Sequence, residues 1–242
     1  RKWDDQQQFP EHVYQALAEQ GYCGIAVDPA YGGSGGDIIS QAVVLEELAR
    51  GMQANAIMWL NTACFGSKSI GIYGTEEQKQ RWLPDLVAGK LKFAISITEP
   101  GGGTDVLGHM ATTARETDEG WVVNGRKVFT TAGDVADYLL LVTRSKPDDQ
   151  LTRKSDGITV FMCPNNREGI SRSPMPTLGN RTMEHFQMTY DNVVIPHEYV
   201  LGTPHDGWRQ LLFTLNNERI LTASFSLGVC QAALDDSISY AK

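Results

Sequence analysis

Long apolar runs are missing: no stretch of this chain approaches the ~20 consecutive apolar residues that a membrane-spanning helix needs, and no signal-peptide pattern opens it. Clustered basic residues are missing too. The 21 Lys and Arg against 29 Asp and Glu give a formal net charge of −8, with both signs interspersed. Nucleic-acid binding, which rests on basic patches, is therefore disfavoured, and the acidity mostly favours solubility. Cysteine is sparse. Cys23, Cys64, Cys163 and Cys230 lie far apart without a C-x-x-C pair, which excludes a zinc ribbon or a thioredoxin-like site. They are expected to be free, buried small hydrophobes of a protein in a reducing compartment. His12, His109, His185, His197 and His205 show no H-E-x-x-H spacing, so no metal site is expected. The loop at 31–37 is glycine-rich but lacks the G-K-[ST] ending of a phosphate-binding P-loop. G-x-S-x-G is also absent; its nearest approach, Gly33-Ser34-Gly35, follows no strand.

What is present is an ordinary globular composition, 41% hydrophobic and 21% charged, long enough at 242 residues to bury a core. The first ~90 residues read as helices. Pro10 suits a helix start, and Val13, Leu17 and Gly21 give an apolar stripe with a glycine stop. In 39–60, Val43, Val44, Leu45, Leu48, Ala49 and Met52 fall at spacings of three and four. Thr75-Glu76-Glu77-Gln78 is a capping-box signature opening a helix with Trp82 and Leu86, which Pro84 is expected to kink or split. From Leu91 the pattern changes to strands. Trp121 to Phe129 reads as a hairpin on an Asn124-Gly125 turn. Short apolar strands are expected at 138–143, 158–162, 186–190 and 193–195, with Pro196 ending the run. Such strands suggest a small antiparallel sandwich or barrel. Near Asp206 helical periodicity returns: Ile220, Ala223, Leu227, Cys230, Leu234, Ile238 and Ala241 form one long stripe. A single helix cannot bury that stripe unaided, so partner helices or a neighbouring subunit are expected. The chain starts at Arg1 and ends at Lys242 inside this pattern, so it is expected to be a piece of a longer protein. Helix, sheet and helix in that order make an α+β fold, with no internal repeat.

The most informative stretch is Ile95-Ser96-Ile97-Thr98-Glu99-Pro100-Gly101-Gly102-Gly103-Thr104-Asp105. An apolar strand runs into a loop whose three glycines remove every Cβ, so amide N–H groups can crowd around an oxygen-rich ligand. Thr98 and Thr104 add hydroxyls on either side.

The run resembles the T-E-P-x-x-G-[ST]-D signature of the acyl-CoA dehydrogenases. Four further stretches are similar to that family in order: Gly74-Thr75-Glu76-Glu77-Gln78-Lys79 to Leu83-Pro84; Asn124 to Thr131; Leu178-Gly179-Asn180-Arg181 through Pro196; and Asn217-Glu218-Arg219 with Ala233-Leu234-Asp235 to Tyr240-Ala241. The resemblance covers nearly the whole chain. It implies an N-terminal helical domain at 1–92, a middle β domain at 93–204, and, at 205–242, the first helix of a C-terminal four-helix bundle. It implies FAD as cofactor, held by Ile97, Thr98, Gly103, Thr104, Phe129 and Thr131. It implies acyl-CoA as substrate, touched by Thr104 and Arg219. The expected reaction is α,β-dehydrogenation to a trans-2-enoyl-CoA, in a homotetramer that passes electrons to an electron-transfer flavoprotein. The same fold also serves flavin oxidases and monooxygenases, and a non-catalytic acyl-CoA or flavin binding module is a third reading. Glu218 matches the base of some branches, while in most members the base lies further along, beyond Lys242. Phe129 stands where many members have Trp, and Ile95 and Thr104 stand for a frequent Tyr and Ser. A bacterial cytoplasm or a mitochondrial matrix would suit such an enzyme.

Overall fold

The computed structural model describes residues 2–242. Helices come first: α1 (Lys2–Gln6), α2 (Glu11–Glu19), α3 (Ile38–Gly51) and α4 (Gln53–Asn61), then a π-helical stretch at Thr62–Lys68, α5 (Ser69–Tyr73) and α6 (Glu76–Val87). The capping box is formed as expected. The Gln78 amide donates to Thr75 Oγ1 at 3.2 Å, and the Thr75 amide to Gln78 Oε1 at 3.0 Å. Gln78 Nε2 also donates to the carbonyls of Glu198 and Val200, tying α6 to the β region. α6 runs unbroken through Pro84, so of the expected kink or split the split does not occur. The carbonyl its missing N–H would have served belongs to exposed Gln80, which water can satisfy.

Eight strands follow: β1 (Phe93–Ser96), β2 (Thr113–Thr117), β3 (Gly120–Thr131), β4 (Tyr138–Arg144), β5 (Ile158–Pro164), β6 (Ile170–Met175), β7 (His185–Ile195) and β8 (Val200–Leu201). They form one sheet in the order β6-β7-β3-β2-β4-β5-β8, with β1 added on β4. Pairing is mostly antiparallel, but β1–β4 is parallel and β2–β4 touches in parallel register at Thr113↔Arg144. The intervening β2–β3 hairpin supplies the long crossover that a parallel pair needs. Every residue of β5 is buried, as expected where both faces of a strand are covered.

The Asn124-Gly125 hairpin is a correction. β3 runs straight through both residues, and the hairpin turn lies earlier, closing at Thr117↔Gly120. Opposite Asn124 the extra residue belongs to β7, where Asn192 has φ 51° and its amide donates to Asn124 Oδ1 at 2.9 Å. Gly125 is required by packing: with φ 152°, a Cβ there would lie 2.5 Å from Thr112 Oγ1.

The chain closes with α7 (Gly207–Ala241), whose buried row is Gly207, Gln210, Leu211, Thr214, Asn217, Leu221 and Gly228. At Gly228 a Cβ would stand 2.1 Å from the Glu46 carbonyl oxygen, so α3 and α7 cross there almost backbone to backbone. The apolar stripe read from the sequence lies on another face. Ile220, Leu227, Leu234 and Ile238 are 45–54% exposed. Cys23, Cys64 and Cys163 are buried as expected, whereas Cys230 on that stripe is exposed.

Candidate active site

A second irregularity in β3 shapes the site. Between Lys127 and Thr130 the register to β7 slips, leaving one extra residue in β3. Phe129 takes it up in a left-handed conformation, φ 57°, which a bulky side chain rarely adopts. The ring is thereby turned out of the sheet and 56% exposed. Its edge meets the His185 ring at 6.4 Å between centroids. Thr131, two residues on, shares a 2.8 Å hydrogen bond with His185 Nδ1, and burial holds the His185 pKa below its usual value. Between them Thr130 points inward, where Ser96 Oγ lies 3.1 Å from Thr130 Oγ1 and 2.8 Å from the Tyr190 hydroxyl.

The glycine loop sits beside this bulge because the Val128 amide donates to the Thr98 carbonyl at 2.8 Å. Ile97 and Thr98 are half-buried, while Gly103 and Thr104 are exposed. The loop folds on itself through paired Glu99 and Gly102 backbone bonds of 3.1 and 3.3 Å. Only Gly102 is demanded by packing, a Cβ there meeting the Asp105 carbonyl oxygen at 2.8 Å and His109 Cβ at 2.9 Å. Gly101 and Gly103 have room for one, and none of the three has positive φ. Among the described residues the amides of Gly101, Gly103 and Thr104 and the hydroxyls of Thr98 and Thr104 make no hydrogen bond within the chain. The Val128–Thr98 bond thus sets Thr98, with Ile97, Gly103 and Thr104 in the same run, beside the strand segment that carries Phe129 and Thr131.

Glu218 and Arg219 lie elsewhere, on α7. Glu218 is half-buried and accepts the Thr222 hydroxyl at 2.7 Å; Arg219 is exposed and donates to Asn216 Oδ1 at 2.5 Å. Buried Asn217, just before them, donates to Cys64 Sγ at 3.6 Å in the π-helical stretch. Burial, reinforced by the Glu218 charge, pushes the Cys64 thiol up to about 12. Among the described residues no hydrogen bond or ion pair joins Glu218 or Arg219 to the Thr98–Thr131 group.

Three features escaped the sequence reading. One is the His185–Thr131 pair, another the π-helical stretch, a geometry common at functional sites. The third is a buried ion pair of Glu99 and Lys127, 2.7 Å apart. Both its residues stood inside the recognised runs, but nothing local marks them as partners.

Family models described as the N-terminal, middle and C-terminal domains of acyl-CoA dehydrogenase match residues 1–90, 94–193 and 205–242. A 3-(aryl)acrylate reductase of Clostridium sporogenes is 30% identical over 99% of this chain and 62% of its own. A caffeyl-CoA reductase-Etf complex subunit of Acetobacterium woodii is 32% identical over 97% of this chain and 61% of its own. The solved butyryl-CoA dehydrogenase of Megasphaera elsdenii superposes with a TM-score of 0.91 at 30% identity, covering 99% of this chain and 62% of that one. The chain thus spans less than two thirds of the length of these relatives.

Proposed function

The chain belongs to the acyl-CoA dehydrogenase family, and from that membership we propose that it carries out FAD-dependent α,β-dehydrogenation of an acyl-CoA thioester to the trans-2-enoyl-CoA. The observation that carries the reading is Phe129. A strained bulge that turns an aromatic ring into solvent costs free energy unless something flat and apolar packs on it. Members of the family are FAD flavoproteins, and the groups near this ring would suit a flavin. Phe129 offers an apolar wall, the Thr98 and Thr131 hydroxyls offer hydrogen bonds at the ring edge, and the free amides of Gly103 and Thr104 offer donors to phosphate oxygens. Ile97 would support Thr98 from the strand end. Thr104 would equally serve the phosphates of CoA.

When bound, FAD supplies the acceptor for the β-hydride. The chain's own part is to hold the thioester, keep water out and remove the α-proton. Glu218 is the carboxylate of this chain assigned to the α-proton, its Oε1 already accepting the Thr222 hydroxyl, and Arg219 on the next position would orient the substrate. The electron acceptor is proposed to be an electron-transfer flavoprotein, supported by the Etf-complex relative. The exposed row of α7 is proposed to be covered by further helices of a four-helix bundle and by subunits of a homotetramer. Among the described residues no helix is long and apolar enough to cross a membrane, and a bacterial cytoplasm or mitochondrial matrix is the proposed location.

Anaerobic titration of the full-length protein with acyl-CoAs of graded length tests the reading. The oxidised flavin band is expected to bleach with one length class. A yellow protein that no acyl-CoA bleaches would overturn it, and rapid oxygen consumption during turnover would assign an oxidase instead. Glu218→Gln is expected to slow turnover by roughly 10²–10⁴-fold; undiminished turnover assigns the base to another residue.

A further inference from the structure

Lys127 is fully buried and the Glu99 side chain is 6% exposed. The ammonium Nζ lies 2.7 Å from Glu99 Oε1 and donates to the Ile97 carbonyl at 3.0 Å. The carboxylate also accepts the amides of Ala111 at 2.6 Å and Thr112 at 3.0 Å. Burial drives the Lys127 pKa down to about 8. Burial pushes Glu99 the other way, but the Lys127 charge and the amide donors outweigh it and hold Glu99 below its usual value.

Such a pair is not explained by stability. Desolvating two charges offsets most of their attraction, and a well-packed apolar pair often does as well or better. Its placement suggests a different role. One carboxylate fastens both ends of the loop 99–112, at Glu99 itself and at the Ala111 and Thr112 amides. The same ammonium reaches the end of β1 at Ile97, and it stands two residues before Phe129. The next residue, Val128, bonds the Thr98 carbonyl. The loop is also held by the Glu99–Gly102 bonds, an Asp105 side chain on the Gly108 amide, an Asp105–Lys154 pair at 4.0 Å, bonds from Arg144 to the Leu107 and Thr112 carbonyls and the packing of Met110 in the core, but none of these joins its two ends.

We propose that Glu99 and Lys127 are positioning residues, a latch that sets the glycine loop against the Phe129 bulge so that Thr98, Gly103, Thr104 and Thr131 face one ligand. The proposal rests on the flavin-site reading above, and its test separates the two. The double variant Glu99→Gln/Lys127→Met, made in the full-length protein, removes both charges at similar volume. Its apo form is expected to melt close to the parent, while FAD binding, followed by quenching of flavin fluorescence, weakens by about tenfold or more. The visible circular dichroism of bound flavin should change with it. Parent-like affinity and dichroism overturn the latch, and so does a double variant that no longer folds, since the pair would then serve stability.

Glu99→Asp supplies a second arm that needs no cofactor. Keeping the charge on a shorter arm should speed amide exchange at Ala111 and Thr112 while leaving Leu140 in the core protected; unchanged protection at 111 and 112 sinks the proposal. A parent protein that takes up no FAD overturns the functional reading instead, and the exchange arm then decides the latch alone.

Discussion

The glycine loop with its bulge and the Glu218–Arg219 stretch are two halves of one proposed site, built in opposite ways. Around the loop three anchoring groups are tied to something distant in sequence: Glu99 to Lys127, Thr98 to Val128, Thr131 to His185. On α7 the partners are local, Thr222 for Glu218 and Asn216 for Arg219, one helical turn away. The first half is preorganised by the chain itself, as the proposed cofactor surface would need to be. The second half inherits only the orientation of its helix, so its final geometry depends on what covers the exposed row from Ile220 to Ile238. The proposed cofactor platform and the proposed substrate wall are thus specified by separate interactions within one fold.

The sharpest way to break this contrast is to remove one member of the ion pair. Lys127→Met alone strands the Glu99 carboxylate in a buried site, and Glu99→Gln alone strands the ammonium. Each is expected to cost about 3–5 kcal/mol of stability by denaturant unfolding, far more than the double variant. A double variant that loses the sum of the two single losses would show that the two charges do not depend on each other. The next largest effect concerns how α7 is held. Gly228→Ala places a methyl against the Glu46 carbonyl, which must move away, at an expected cost of about 1–3 kcal/mol. Because Gly228 meets only Glu46 and Ala49 of α3 there, the variant should lower the thermal midpoint while leaving FAD affinity unchanged. A parallel loss of FAD affinity would mean that the two halves are mechanically coupled after all.

What could be read from the sequence was local. The capping box at Thr75, the strand ending at Pro196 and the apolar strands around 138–143 and 158–162 need only neighbouring residues to define them. The loop at Thr98–Thr104 was legible because its residues occur in a run. Asn124-Gly125 misled because that dipeptide favours positive φ in a hairpin turn and equally tolerates the close approach of Thr112 in a bulged strand; the cross-strand partner decides which. β2 and β6 carry few apolar residues and no alternation strong enough to mark them, β6 being largely exposed between its ends. The Glu99–Lys127 pair spans 28 positions and exists only once the register of β3 against the end of β1 is set. A buried charge looks like any other Lys or Glu until then.

The smallest expected effect bears on the boundary between platform and solvent. His185 is half-buried, and burial lowers its pKa from the ordinary value near 6.5. The unfolded chain therefore takes up a proton at higher pH than the folded one does. The sign follows: this contribution to stability is fully present above the unfolded value and is lost as pH falls through the window below it, down to the folded value. His205, also lowered by burial, adds a loss of the same sign. His185→Gln should remove only its own share, leaving a shallower decline in denaturant midpoint between neutral and mildly acidic pH; an unaltered slope would mean the ring is as well solvated folded as unfolded. The chemistry at Thr131 gives the measurement its interest. A neutral Nδ1 can accept the Thr131 hydroxyl at 2.8 Å, but a protonated one can only donate to it. Acid would then free the hydroxyl proton on the platform to point at whatever lies against Phe129.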